Sequence, residues 1–554
     1  MRRITAYMII LTAFALASCS LEENPQSEVT QESFYNTLGQ CRSALRALYT
    51  PLHYIYTSDF MHAVEGCTDI WGSWSADENA YLDISPAKPG VGTVVWRYCY
   101  IGIMRANECI ECIADAPIDS SDKWTMVAEA RAMRSLYYYI LTSFFGDVPY
   151  YTYAVKDIET MEKIRALPRK SADEIRAELY VDLRDNALPY FTEENGLRVR
   201  AYEIESNHAG FALTAMMMAK MAMWNEEWGD AIYALKQLED VYGTLDMYPI
   251  EEIQWRYKNT AEGIFEIQHE WSSTGVKFYG SVANVMTPTC NDGLYDGVYM
   301  PELSQNGATW TAMKPTKHYG LFRSNGANKT ENAANAKGLF TALPLTYGDE
   351  LYAYDEGGVT KYRYCNVIDM DAISTGIVRG KPLDKRTLYK FGYGNLQTGE
   401  IFTYVKNNGI GHPGPQFWCP GMTNTYDSNN YRIFRYADAV LMMAECCLEE
   451  GDPQKAIHYL DQVRERAGVG NFRDYTNDSE LMREIQNERA RELGGEFHRK
   501  FDLVRWGIWY DITKQYNEIS RLKDRMKPCH RYYPIPDTEC ALSGYVLTND
   551  EYAE

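Results

Sequence analysis

Residues 207–224, NHAGFALTAMMMAKMAMW, then 225–230, NEEWGD, then 231–241, AIYALKQLEDV, decide the fold. The first stretch is rich in Ala and Met, which favour helix and let neighbouring helices approach closely. The second is an acidic turn containing Gly, and the third is the return helix, so the unit is a helix hairpin of the kind that stacks into repeat arrays. The same unit recurs at 435–448, RYADAVLMMAECCL, with the turn 450–453, EGDP, and the return 454–467, QKAIHYLDQVRERA. Ala231-Ile232 and Ala456-Ile457 open the two return helices alike.

Two further pairs are expected upstream, at about 30–116 and 125–188. Thr30 is placed to cap a helix carrying Phe34, Leu38, Cys41, Leu45 and Leu48 at three- and four-residue spacing. Helical periodicity returns from Val95 to Ile113 and again from Lys123 to Phe145, where Gly146-Asp147-Val148-Pro149 stops it. Ser171 with Glu174 reads as a capping box for a helix to Leu188. Helices return at 481–493 and 497–509, and Tyr532 to Pro536 is extended. The predicted class is mostly α: a TPR-like helix-hairpin scaffold with a large irregular, loop-rich, ligand-binding insertion.

The divisions that follow are 1–18 as a signal peptide, 19–29 as a tether, 30–242 as the N-terminal helical part, 243–430 as the insertion, and 431–554 as C-terminal helices and tail. Within the insertion only Glu262 to Gln268 alternates like a strand. Its aromatics Trp271, Phe278, Tyr279, Tyr295, Tyr299, Trp310 and Tyr319 follow at short intervals. A second aromatic loop, 65–93, carries Trp71, Trp74 and Tyr81 among Gly, Ser, Asp and Pro. Irregular segments on a rigid scaffold are where binding residues concentrate.

The N-terminus sets the compartment. Met1-Arg2-Arg3 is basic and Ile4 to Ala17 is apolar, too short to span a bilayer and suited to a signal peptide. It ends in Leu16-Ala17-Ser18-Cys19, a bacterial lipobox, so Cys19 is the expected lipidation site. Acyl chains there would hold the protein to a membrane at about 0.8 kcal/mol per buried CH₂. Glu22-Glu23 after the cysteine resembles a signal for export to the outer face of the outer membrane.

The net charge of −21 excludes nucleic acid as a partner, since phosphate binding needs basic patches. Aromatics reach 13%, with 44 Tyr and 12 Trp, and such rings offer flat apolar faces with polar handles. The twelve cysteines after Cys19 are scattered and read mostly as small buried hydrophobes. Cys109-x-x-Cys112 sits in a helical pattern without a second such pair, and no motif calls for a metal or a cofactor.

Five segments together resemble the SusD/RagB family. These are Leu21 to Pro25 with Phe34; Ala128-Glu-Ala-Arg-Ala-Met-Arg-Ser-Leu-Tyr137 with Phe145-Gly-Asp-Val-Pro149; Arg435-Tyr-Ala-Asp438, Met443-Ala-Glu445 and Val463-Arg-Glu-Arg-Ala-Gly468; Glu488-Arg489, Glu492-Leu493, Glu496 and Arg499-Lys-Phe-Asp-Leu-Val-Arg-Trp-Gly507; and Tyr533-Pro-Ile-Pro536. The resemblance implies four TPR-like pairs and an irregular ligand face. It also implies a SusC-like TonB-dependent barrel as partner, over which the protein sits as a lid. Family members mostly bind oligosaccharides, and some handle peptides.

The loop before Trp96 and the region 271–320 resemble the places where the family sets its sugar-contacting rings. The candidates there are Trp71, Trp74, Tyr81, Tyr295 and Trp310, with Asp77, Asn79 and Asn291 as polar partners. The expected function is oligosaccharide capture for import, with peptide capture and glycoside hydrolysis as alternatives. Hydrolysis needs two carboxylates at defined separation, and no signature points to such a pair. The acids and bases of the C-terminal signature read as helix-packing ion pairs.

Overall fold

The computed structural model describes residues 34–73, 83–204, 207–270, 278–287, 312–316, 384–390, 413–419, 425–473, 475–517 and 519–553. It also gives the backbones of short strands between 294 and 410. Chain order begins α1 (Leu38–Arg46), α2 (Thr50–Ile55), α3 (Ser58–Val64), β1 (Trp71–Ser73), α4 (Gly92–Asp115), α5 (Ser120–Phe145), α6 (Ile158–Arg165) and α7 (Ala172–Asn186). The first hairpin of the sequence analysis is α8 (Phe211–Trp224) with α9 (Trp228–Tyr242). The insertion opens with β2 (Gly263–Ile267) and α10 (Val282–Met286).

Short antiparallel pairings follow. β3 (Leu294–Tyr295) pairs with β4 (Val298–Tyr299), and β5 (Met313–Pro315) pairs back with β1. β6 (Thr346–Tyr347), β7 (Glu350–Glu356) and β8 (Val359–Arg363) form one small sheet. β9 (Thr375–Gly380), β10 (Tyr393–Asn395), β11 (Glu400–Lys406) and β12 (Gly409–Ile410) form another, with the short helix α11 (Thr387–Lys390) between β9 and β10. β13 (Tyr431–Arg435) leads into the second hairpin, α12 (Tyr436–Glu449) and α13 (Pro453–Ala467). α14 (Asp478–Leu493), α15 (Arg499–Arg505), α16 (Trp509–Tyr516), α17 (Ser520–Arg525) and α18 (Asp537–Leu542) complete the chain.

The molecule is mostly α, and helices pack in sequence-adjacent pairs: α4 on α5, α8 on α9, α12 on α13. α9 also packs on α12, joining the two halves across the insertion. The Ala/Met stretch of α8 is buried from Phe211 to Met223, which is why its apolar residues show no one-sided stripe. Tight packing has a local signature at Gly102 of α4. A Cβ there would run into the Tyr137 ring of α5, so only glycine lets these helices meet.

The first described helix start lies later than Thr30, and one cap differs from expectation. α1 starts at Leu38, because Thr37 and Gln40 bond reciprocally in a capping box that ends the preceding turn. Thr30 lies outside the described residues. Ser171 makes no side-chain cap to α7; Asp147, from the turn after α5, reaches across and accepts the Ala172 N–H at 2.9 Å. The expected strand is β2, and its partner is β13. The two ends of the insertion are therefore hydrogen-bonded to each other, so it leaves and rejoins the helical scaffold at one place. Cys41, Cys67, Cys99, Cys109, Cys446, Cys447, Cys529 and Cys540 are free thiols.

A lattice of buried charge lies beneath that junction. Arg435 bonds Glu262 at 2.8 Å, Glu492 at 2.6 Å and Glu496 at 2.7 Å. Arg466 bonds Glu262 at 2.9 Å and Glu492 at 2.5 Å. Arg386, from the insertion, bonds Glu488 at 2.6 Å, Glu492 at 2.9 Å and Asp384 at 2.7 Å. Burial alone would raise the Glu262 carboxyl, but the guanidinium groups of Arg466 and Arg435 reverse this and hold it at about 2. The acids and bases of the C-terminal signature thus pack helices, as the sequence suggested.

Candidate functional site

The base of the first aromatic loop, 65–73, is gripped by the C-terminal part of the chain. Glu65, fully buried, accepts the backbone N–H groups of His498 at 2.9 Å and of Gly495 and Arg499 at 3.3 Å. Burial pushes this carboxyl up to about 8 against the pull of those donors. Arg499 clamps Asp69 through two bonds of 2.8 and 2.7 Å. The Asn517 amide donates to the carbonyls of Thr68 at 2.7 Å and Trp71 at 3.0 Å, and the Trp509 indole N–H donates to the Cys67 carbonyl at 2.9 Å. Phe497 takes a φ of 69°, an uncommon value for a bulky residue that costs on the order of 1–3 kcal/mol. Its ring is held flat against Trp255 at 5.8 Å, which keeps the backbone turned so that the N–H groups meet Glu65.

β1 then joins this base to the second aromatic region. Trp71 lies opposite Pro315, Gly72 opposite Lys314 and Ser73 opposite Met313. The Thr316 N–H donates to the Ile70 carbonyl at 2.9 Å and its hydroxyl to the Asp69 carbonyl at 2.5 Å. Ser73 is fixed in turn by His62, 2.7 Å from its hydroxyl. The ladder therefore brings together the ends of the two segments expected to bind ligand, since Trp74 follows Ser73 and Trp310 precedes Met313 by three residues.

Trp71 itself corrects the expectation. It is 0% exposed, with its ring edge-on to Phe417 at 6.0 Å, so neither face is open to a ligand and it belongs to the core. Tyr295 lies on β3, whose backbone is described while its side chain is not. Trp74, Asp77, Asn79, Tyr81, Asn291, Trp310 and Cys19 lie outside the described residues.

A second group of rings is open to solvent. Phe278 is 44% exposed and stacks on His53 at 4.3 Å. Tyr54 stacks on Tyr98 at 4.3 Å with 5° between their planes, and Tyr279 lies 3.8 Å from Tyr426. Phe278 and Tyr279 fall in the run of insertion aromatics read from the sequence; Tyr54, Tyr98 and Tyr426 were missed. Their only signal is three-dimensional, because Tyr54 and Tyr98 stand on different helices whose patterns read as ordinary packing.

Beside Phe278 opens a cavity of about 300 Å³, walled by Tyr49, His53, Asn207, His208 and Gln268. Tyr49 donates its hydroxyl to the buried Glu129 at 2.6 Å and accepts the Ala209 N–H at 2.7 Å. Gln268 is held by Asn259 and Asn430. The loop base and this cavity are connected through the core by a seam of touching rings. It runs Trp71, Phe417, Trp255, Tyr431, His269, His53, Phe278, with successive centroids 4.2–6.0 Å apart. No cluster of three or more potential metal-binding side chains occurs among the described residues.

Comparisons with known proteins follow this architecture. The profile of the SusD family matches residues 420–552, and a profile described as starch-binding associating with outer membrane matches residues 21–190. SusD-like protein P25 of Formosa agariphila is 24% identical, over 98% of both chains. Among solved structures, a SusD superfamily protein from Bacteroides vulgatus is 18% identical, covering 94% of this chain and 100% of its own, with a TM-score of 0.63. Surface glycan-binding protein A from Bacteroides thetaiotaomicron, solved with laminarihexaose, is also 18% identical, covering 92% of this chain and 98% of its own, with a TM-score of 0.60.

Proposed function

The chain belongs to the SusD/RagB family, and from that premise we propose that it captures oligosaccharide at the cell surface and delivers it to a SusC-like TonB-dependent transporter. The observation that carries this reading is the β1–β5 ladder. It pairs the end of one aromatic segment with the end of another, on a helical scaffold like that of a protein solved with laminarihexaose. In this reading Trp74, Tyr81, Tyr295 and Trp310 lie against sugar faces, and Asp77, Asn79 and Asn291 bond hydroxyls. A few polar groups among aromatic walls suffice for such recognition. Lipid on Cys19 anchors the protein to the outer membrane with its body facing outward. The role is binding without catalysis.

The test is calorimetric titration of the full chain in detergent with a panel of hexaoses. Saturable binding to one class, weakened at least tenfold in Trp74→Ala or Trp310→Ala variants that melt normally, is the expected result. Affinity for peptides and for no saccharide would replace glycan by peptide in the proposal, and new reducing ends on incubation with polysaccharide would make the protein a hydrolase. Co-purification of a large outer-membrane barrel with the tagged chain is the corresponding expectation for the partner.

A further inference from the structure

We infer that the cavity between α2, β2 and Phe278 is a second saccharide-binding site, built from residues other than those at the base held by β1 and β5. It rests on the capture reading only for the class of ligand; its residues are different, and the seam of rings lies between it and the loop base.

The argument starts at Phe278. One face of its ring is pinned on the His53 imidazole at 4.3 Å, and the ring is still 44% exposed. A ring held from behind and open in front is a ready stacking surface, with little side-chain entropy left to lose on binding. His53 is itself fixed, edge-on to His269 at 5.0 Å. Burial holds the His53 imidazole at about 4, so it is neutral at ordinary pH and offers an apolar backing.

Leu52, Phe265 and Ile267 continue the apolar wall, and a few polar side chains stand among them. Asn207 sits at a φ of 51°, a conformation asparagine tolerates, and its side-chain amide has no hydrogen-bond partner among the described residues. Arg46, on the rim, has no ion-pair partner among the described residues. Gln268 stands at the edge of β2 with its amide oriented by two asparagines.

Size and chemistry select the occupant. About 300 Å³ is at the lower end of small-ligand pockets and too small for a helix, which is about 10 Å across. A pyranose offers an apolar face to the ring and hydroxyls, which donate and accept, to the Asn207 amide and the Arg46 guanidinium. A purely apolar ligand would leave both groups desolvated and unpaired.

The experiment is titration of the full chain in detergent with laminarihexaose, cellohexaose, maltohexaose, mannohexaose and xylohexaose. Wild type is compared with a Trp74→Ala/Trp310→Ala double variant and with Phe278→Ala, Phe278→Tyr and Asn207→Ala. The double variant is expected to keep a weaker binding phase. Adding Phe278→Ala should weaken that phase about tenfold, Phe278→Tyr should preserve it, and Asn207→Ala should weaken it several-fold.

If the double variant loses all binding while folded Phe278→Ala and Asn207→Ala proteins bind like wild type, the second site is overturned and surface capture stands. If Phe278→Ala abolishes binding and the double variant binds normally, the cavity stands and the loop rings lose their assignment. A wild-type chain that binds none of the five overturns both.

Discussion

Trp71 and Trp74 are alike as sequence, three residues apart in a polar loop, yet only one of them has its place described, and that place is the core. Truncating Trp71 removes a ring that is 0% exposed and packed on Phe417, so Trp71→Ala is expected to cost about 3–5 kcal/mol. A loss of that size in the free energy of denaturant unfolding, or its absence, decides the point. What made Trp71 illegible is that its partner ring is supplied by a distant part of the chain. A second residue-scale test lies at Gly495. Its φ is +85°, and a Cβ would stand 2.5 Å from Cζ of Phe417. Gly495→Ala meets both left-handed strain and overpacking, and a loss of about 2–4 kcal/mol is expected in equilibrium unfolding. Because Gly495 also donates its N–H to Glu65, the same change should loosen the loop base and weaken hexaose binding.

Among the elements, the hairpin helices were legible nearly to their ends because periodicity of 3.6 and acidic Gly-containing turns are local signals, whereas the helix read over 497–509 is two, α15 and α16, parted at Gly507 with its φ of 72°. α4, α5, α8, α9, α12 and α13 all lie where the pattern put them. The caps were less legible: the group that caps α7 comes from Asp147, outside the helix it serves. The strand at 263–267 was legible as a strand, but its pairing with 431–435 was not, since pairing is a contact across the whole insertion.

The charge lattice under that pairing predicts acid sensitivity. Glu262 and Glu488 are both held at about 2, where burial would raise them, by Arg466 with Arg435 and by Arg386 with Arg491. Their folded values lie below the unfolded one of about 4.3, so the stability they add is complete above that pH and is lost as pH falls toward 2. Each contributes about 3 kcal/mol by this linkage. Melting temperature is expected to decline steeply below pH about 4.5 in wild type. In Glu262→Gln it should start lower and decline less over the same window; an unchanged slope would contradict the assignment.

For the whole molecule, fold class was readable because a helical scaffold repeats and repeats are visible in one dimension. The ligand face was readable only as regions, since no local rule says which rings of an irregular insertion turn outward. Phe278 does so, and Trp71 does not.

The lattice has one more consequence, and it concerns time. Arg386, Arg435 and Arg466 precede in the chain most of the carboxylates that neutralise them, Glu488, Glu492 and Glu496. Buried guanidinium groups without those partners cannot be tolerated, so the scaffold cannot close until α14 has been made. A chain ending at residue 477 is accordingly expected to show no cooperative melting transition by calorimetry. For the growing chain this dependence acts as a delay: folding waits on a helix made after residue 477.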